Sequence, residues 1–180
     1  DTRNRLVVAT RDAIREVGMP GTTAREITGR ASANLAAIPY YFGTKDALVA
    51  EALIAEARLL VEPVMELLRS DLPPVDRAGE AVAMLNDLFE TTRAQVPVYL
   101  AALAAAPHVP EVQVGLAELW AELRTGLADD ISTQQAAGHL PAWVAPQAMA
   151  SLIIDLVNGV VLASVTDPAG PTHHEVAAQF

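Results

Sequence analysis

Apolar residues recur in this chain at spacings of three and four from one end to the other, and nowhere do β-branched and polar residues alternate over the length of a strand. A period of about 3.6 buries one stripe of a helix and neither face of a sheet, so the expected fold is all-α. Alanine and leucine fill most of the apolar positions, as helix propensity favours. Prolines, glycines and capping residues cut the pattern into about nine helices. Asp1 or Thr2 caps the first, which buries Leu6, Ala9, Ala13 and Val17 and ends at Gly18 before a Pro20-Gly21 turn. Thr23 and Glu26 have capping-box spacing, so a second helix starts there and ends near Arg30. After an Ala31-Ser32-Ala33 turn, Asn34 caps a third through about Tyr41. Thr44 caps a fourth from Lys45 to about Arg69, with Leu48, Ala52, Leu59, Leu60, Val64 and Leu67 inside and Pro63 as a kink. Prolines then open five more: Pro73-Pro74 to about Ala94, Pro97 to Ala106, Pro110 to Ala137, Pro146 to Ser164, and Pro171 onward.

Charge is divided unevenly along the chain. Residues 1–50 hold seven basic residues against five acidic ones; of the 12 basic and 22 acidic in the whole chain, that leaves five against seventeen, so +2 faces −12. A polyanion is expected to meet the first end and be repelled by the rest. There is no cysteine, which removes thiolate metal sites and disulfides and suits a reducing, cytoplasmic setting. Arg3, Arg5, Arg11 and Arg15 interrupt the first helix, so it lacks the apolar core of a signal peptide. The apolar run Ala145 to Val165 is long enough to span a bilayer, but Asp155 near its middle would cost about 3 kcal/mol there, so a helix of a soluble protein is expected.

Catalytic patterns are lacking. His108, His139 and His173-His174 have no helical i, i+4 partner for a metal, Asp129-Asp130 and Glu118 with Glu122 read as solvated faces, and there is no nucleophile elbow, phosphate loop or dinucleotide fingerprint. Neither enzyme activity, cofactor nor metal is expected.

Two short helices joined by a tight turn form a helix-turn-helix pattern, whose second helix fits a major groove. The stretch Arg5 to Leu53, with Gly18, Thr22-Thr23, Ile27, Ala31, Ile38, Tyr40-Tyr41-Phe42-Gly43-Thr44-Lys45 and Leu48, resembles the amino-terminal region of TetR-family repressors. That resemblance implies a three-helix DNA-binding domain over residues 1–46 and a larger helical domain over 47–180 that dimerises and holds a small ligand. It implies an operator interface of Thr23, Arg25, Asn34, Leu35, Ala36, Ala37, Pro39, Tyr40, Tyr41 and Lys45. Thr23 and Lys45 would hold phosphates, and Arg25 would reach either a phosphate or a base edge. Tyr41 either offers its hydroxyl to a phosphate or packs the small domain, while Ile38 and Phe42 read as core. Two departures stand out: Ser32 replaces the glycine usual in the turn, and Pro39 falls beyond the first turn of a helix capped at Asn34, where it costs a hydrogen bond.

In the second domain Met65, Met84, Leu88, Phe89, Tyr99, Leu103, Leu116, Trp120 and Leu123 are candidates to line an effector cavity, though most such residues serve as core. Asp155 within an apolar helix meets either that ligand or a partner across a dimer interface. Met149, Leu152, Ile153, Leu156, Val160 and Val161 are the expected homodimer contacts. The partners implied are a double-stranded DNA operator, a small-molecule effector and a second copy of the chain. The competing reading is an α-helical scaffolding protein whose helix-turn-helix, altered at Ser32 and Pro39, no longer reads an operator.

Overall fold

A computed structural model describes residues 1–73, 75–77, 79–81, 83–84 and 94–167, and all regular structure among them is helical. The helices are α1 (Thr2–Gly21), α2 (Ala24–Arg30), α3 (Ala37–Phe42), α4 (Lys45–Leu68), α5 (Val96–Ala105), α6 (Pro110–Ala136) and α7 (Pro146–Thr166). A further helical stretch begins at residue 75 and is described in part. The helix expected from Pro171 lies outside the described residues. The chain divides into two compact units, one of residues 1–60 with 94–117, the other of residues 61–93 with 118–180.

In the first unit α1 packs against α2, α3 and α5. Leu6, Ala9, Ile27, Ala31, Ile38, Leu48 and Ala52 form one buried cluster to which α1, α2, α3 and α4 all contribute. Burying an isoleucine such as Ile27 completely stabilises by about 1.5–3 kcal/mol. Asp1 is the N-cap of α1, accepting from the Arg3 amide at 3.1 Å. The helical path breaks at Gly18 (φ 69, ψ 173) and resumes for one turn through Pro20. Val17, expected inside, is exposed. It lies where the chain folds back, so close to Gly21 that a Cβ there would collide with it. Similarly, α6 lies close enough to α4 that a Cβ on Gly115 would overlap the Ile54 side chain.

The main buried stripe of α4 follows the helical period, through Leu48, Ala52, Leu53, Glu56, Ala57, Val61 and Met65, with Val49, Ala50 and Leu67 buried beside it. Leu59 lies off that stripe and is exposed, contrary to expectation, whereas Glu56 lies on it and is completely buried. Its carboxylate accepts from Arg11 Nε and, at 3.1 Å, from Arg15 Nη2. Arg15 also donates to Asp12 at 2.7 Å and to the Ala94 carbonyl at 2.7 Å. This network ties α1 to α4 and to the residues leading into α5.

In the second unit Ala128, Ile131, Val144 and Ala150 form a small core with Met149 and Ile153 packed on it. Arg77 pairs with Asp130 at 2.6 Å, and Arg124 donates to Ser151 at 3.0 Å. Past the end of α6 at Ala136, Gly138 at φ 79 lets its own amide and that of His139 return to the carbonyls of Gln135 and Gln134.

Candidate nucleic-acid interface

The turn between α2 and α3 has that same closing pattern with a different residue at its centre. Ser32 N–H donates to Gly29 O at 3.2 Å and Ala33 N–H to Thr28 O at 2.9 Å, the two bonds of a Schellman motif, whose central residue must be left-handed. Ser32 takes φ 48, the one positive φ among described non-glycine residues. The turn geometry survives the loss of glycine, and the serine carries the strain.

At the start of α2, Thr23 Oγ1 accepts from the Glu26 amide at 3.2 Å. The reciprocal half of the expected capping box is missing, because the Glu26 carboxylate pairs with Arg30 at 2.6 Å and the Thr23 amide donates to Gly21 O. Arg30 also pairs with Glu16 at 2.9 Å, and this guanidinium, bonded to the Glu16 carboxyl, holds it below the usual carboxylate range. Arg30 is thus engaged within the unit. Arg25 is exposed and makes no ion pair among the described residues.

Asn34 is not the N-cap expected of it: its Oδ1 accepts from the Ala37 amide at 3.0 Å and holds the preceding turn, while the helix begins at Ala37 with Ala36 as N-cap. Pro39 is the reason. Lacking an N–H, it cannot bond back to Leu35, so Leu35 and Ala36 remain a turn and Pro39 becomes the third residue of a shortened helix, where no intrahelical donor is required. Gly43 at φ 75 closes α3 by donating to Pro39 O at 3.1 Å. Immediately afterwards Thr44 Oγ1 accepts from the Ala47 amide at 3.0 Å and caps α4. Lys45 Nζ reaches back to the Thr22 carbonyl at 3.3 Å, holding an exposed ammonium beside the opening of α2. A cation at a helix N-terminus is electrostatically unfavourable on its own, and an anion at that point relieves it.

These elements leave most of the expected operator residues exposed. Leu35 is 54% exposed and Tyr40 80%, with Asn34, Ala36, Pro39 and Tyr41 exposed and Ala37 half-buried. Ile38 is buried and Phe42 half-buried under the Arg3 guanidinium, 4.9 Å from the ring centroid. Tyr40 and Tyr41 meet edge to face at 4.8 Å. An open cleft of about 450 Å³ runs beside α3, with Thr2 and Arg5 of α1 forming its far wall. Those two residues were not expected from the sequence. Their signal was Arg5, an exposed arginine at the start of a helix whose stripe packs on the small domain.

The effector candidates are divided between the two units. Tyr99, Leu103 and Leu116 belong to the first unit, and Met65, Met84, Trp120, Leu123 and Asp155 to the second. Met65, Tyr99, Leu116 and Leu123 are buried, Met84, Leu103 and Trp120 half-buried, and burial pushes the Tyr99 phenol above its ordinary range. Leu88 and Phe89 lie outside the described residues. Asp155 is exposed on α7. Of the expected dimer residues, Leu152 and Leu156 are 60% and 46% exposed, Met149, Ile153 and Val160 are half-buried, and Val161 is buried within its own chain. Leu162 and Val165 extend the exposed apolar face. α7 is by length and composition alone capable of crossing a membrane, with most of its surface uncovered in the single chain.

Known proteins resemble this chain in sequence and in fold. Residues 6–52 match the model for bacterial regulatory proteins of the tetR family, and residues 74–180 match that for the C-terminal part of BetI-type transcriptional repressors. The chain is 29% identical over 106 residues to the HTH-type transcriptional regulator PksA of Bacillus subtilis, covering 59% of this chain and 52% of the relative. It is 31% identical over 111 residues to the HTH-type transcriptional regulator BetI of Klebsiella pneumoniae, covering 60% and 56%. The matches thus span about half the length of these curated relatives. A transcriptional regulator from Rhodococcus has a similar fold, with a TM-score of 0.75 and 25% identity over 98% of this chain and 91% of that one.

Proposed function

Because the chain belongs to the TetR family of bacterial regulatory proteins, its C-terminal part to the BetI type, we propose that it is a cytoplasmic, DNA-binding transcriptional repressor, acting as a homodimer and released from its operator by a small apolar or amphipathic ligand. The observation that carries this reading is the α2–α3 pair: a closed turn joins them, Pro39, Tyr40 and Tyr41 of α3 are exposed, and exposed Arg25 and Lys45 lie on α2 and at the start of α4. Thr23 and Lys45 contact the phosphate backbone, Arg25 reaches a phosphate or a base edge, Tyr40 and Tyr41 offer their hydroxyls to phosphates, and Leu35, Ala36, Ala37, Pro39 and Tyr40 face the groove, with Asn34 holding the turn before them. Residues 1–46 form the DNA-binding part and 47–180 the part that senses and dimerises.

Pairing of two copies through α7 covers Leu152, Leu156, Leu162 and Val165, whose exposure in one chain is otherwise unfavourable. Two α3 helices about 34 Å apart then meet successive major grooves of a palindromic site. An effector held by Met65, Met84, Trp120 and Leu123 releases the operator when it favours the non-binding arrangement; a tenfold loss of affinity takes about 1.4 kcal/mol of differential binding.

The test is binding of the chain to duplex DNA flanking its own coding sequence as salt is varied. Affinity should fall steeply with salt, and Lys45→Ala should weaken every duplex and reduce the salt slope by about one unit per site. A chain that binds none of this DNA at low salt is a scaffolding protein on the helix-turn-helix fold, and the proposal fails.

A further inference from the structure

We propose that the turn leading into α3 and the helix itself read the half-site through methyl groups, so that the preferred operator places C5-methylated pyrimidines, thymine first among them, opposite Leu35 and Ala36 of the turn and Pro39 of the helix. This rests on the DNA-binding reading above. From Ala31 to Thr44 the chain contains no lysine, arginine, histidine, aspartate, glutamate or glutamine. The side chains that grip guanine in bidentate fashion are therefore absent from the recognition element, as are the carboxylates that accept from cytosine. Asparagine, the remaining bidentate reader of adenine, occurs once, and Asn34 has its Oδ1 bonded to the Ala37 amide at 3.0 Å, turned to the backbone to hold the turn before α3. What the surface offers instead is Leu35, 54% exposed, with exposed Ala36 and Pro39 beside it.

Placed against a major groove, C–H surface discriminates among bases in one way. It gains by covering a C5-methyl and loses by covering donors and acceptors for which it has no partner. The C5-methyl is the apolar feature of that groove, carried by thymine and equally by 5-methylcytosine. Lys45 contributes affinity through phosphates on any sequence, and along the stretch from Ala31 to Thr44 discrimination falls to the methyl contacts. Each methyl covered should contribute about fourfold, about 0.8 kcal/mol.

The experiment uses the full chain and duplexes with a randomised core. After enrichment at fixed salt, each thymine of the best duplex is replaced singly by deoxyuridine, which removes the methyl and keeps the base-pairing edge. The expected result is thymine at the core positions, a loss of about fourfold for each deoxyuridine there, and no loss at thymines outside the core. Replacing a core thymine·adenine pair by 5-methylcytosine·guanine should retain more affinity than replacing it by cytosine·guanine. Leu35→Ala, at an exposed site that leaves the fold intact, should shrink the deoxyuridine loss at one position of each half-site. If the chain enriches and binds a duplex in a salt-dependent manner but deoxyuridine has no effect, or the same small effect at every thymine, methyl readout is wrong while the DNA-binding reading stands. Failure to bind any duplex at low salt defeats the DNA-binding reading itself.

Discussion

Replacing Glu56 with Gln exchanges one oxygen for an amino group and leaves the side-chain volume unchanged. The carboxylate is completely buried, with Arg11 Nε on one oxygen and Arg15 Nη2 on the other. In the amide, one arginine loses its acceptor and faces a donor, and neither has a countercharge at this point. Breaking a buried ion pair costs about 3–5 kcal/mol. Two features reduce that figure here: the Arg11 and Arg15 side chains retain 17% and 27% exposure, and Arg15 keeps Asp12 and the Ala94 carbonyl. A destabilisation of about 2–3 kcal/mol is expected, about 5–10 °C in melting temperature for a chain of this length. Urea denaturation at one fixed protomer concentration measures it, since association contributes to the stability of a dimer. Asp12→Asn, which breaks a pair with a half-exposed carboxylate, should cost less than about 0.5 kcal/mol. The double replacement Arg11→Met with Glu56→Met should recover most of the loss, because the buried charge goes with its partner. A Glu56→Gln chain within about 0.5 kcal/mol of the parent would refute this account of the network.

Ser32→Gly removes a left-handed strain of about 1–2 kcal/mol against about 0.5–1 kcal/mol of added chain entropy, so a net gain of about 0.5–1 kcal/mol should appear in the same urea titration. Leu156→Glu, on the exposed face of α7, should give folded monomers in sedimentation with weakened DNA binding, whereas Val161→Glu, in the interior, should lower stability first. Tyr99 stays protonated in the folded chain where an unfolded phenol ionises, so the stability it contributes is complete below about pH 10 and declines as pH rises further. In Tyr99→Phe, thermal melts across that range should show a shallower alkaline decline.

Much of the fold was legible because its signals are local. Thr44 and Asp1 cap where their types and spacing indicate, and Gly18 interrupts the first helix. The family resemblance on Tyr40 to Lys45 likewise depends on contiguous residues. What sequence reading missed depends on competition between neighbours. Glu26 had two possible partners, and Arg30, one turn along the same face, displaced the Thr23 amide. Pro39 was read as damage inside a helix begun at Asn34, when its effect is to move the helix start to Ala37. Following leucines rather than the period placed Leu59 inside and passed over Glu56, although a carboxylate four residues from Ala52 on that stripe, with Arg11 and Arg15 available on α1, was the sign of a buried pair. Val161 and Leu156 could not be told apart, since a helix apolar on all sides does not reveal which face its own chain covers.

The six residues left to α3, with only the Leu35-Ala36 turn before them, set a limit on what one copy can distinguish. At a rise of 1.5 Å per residue the helix is about 9 Å long, which matches about three base-pair steps of 3.4 Å. Three base pairs allow only about 60 sequences, so along a genome with some 10⁶ or more competing sites a solitary copy finds a fitting triplet almost everywhere. Two copies fixed at one spacing square that number to about 4,000 and add the spacing itself as information. The shortening imposed by Pro39 therefore makes address finding a property of the pair, and any further selectivity must come from the DNA between and beside the two triplets, through how readily it bends to bring both into reach.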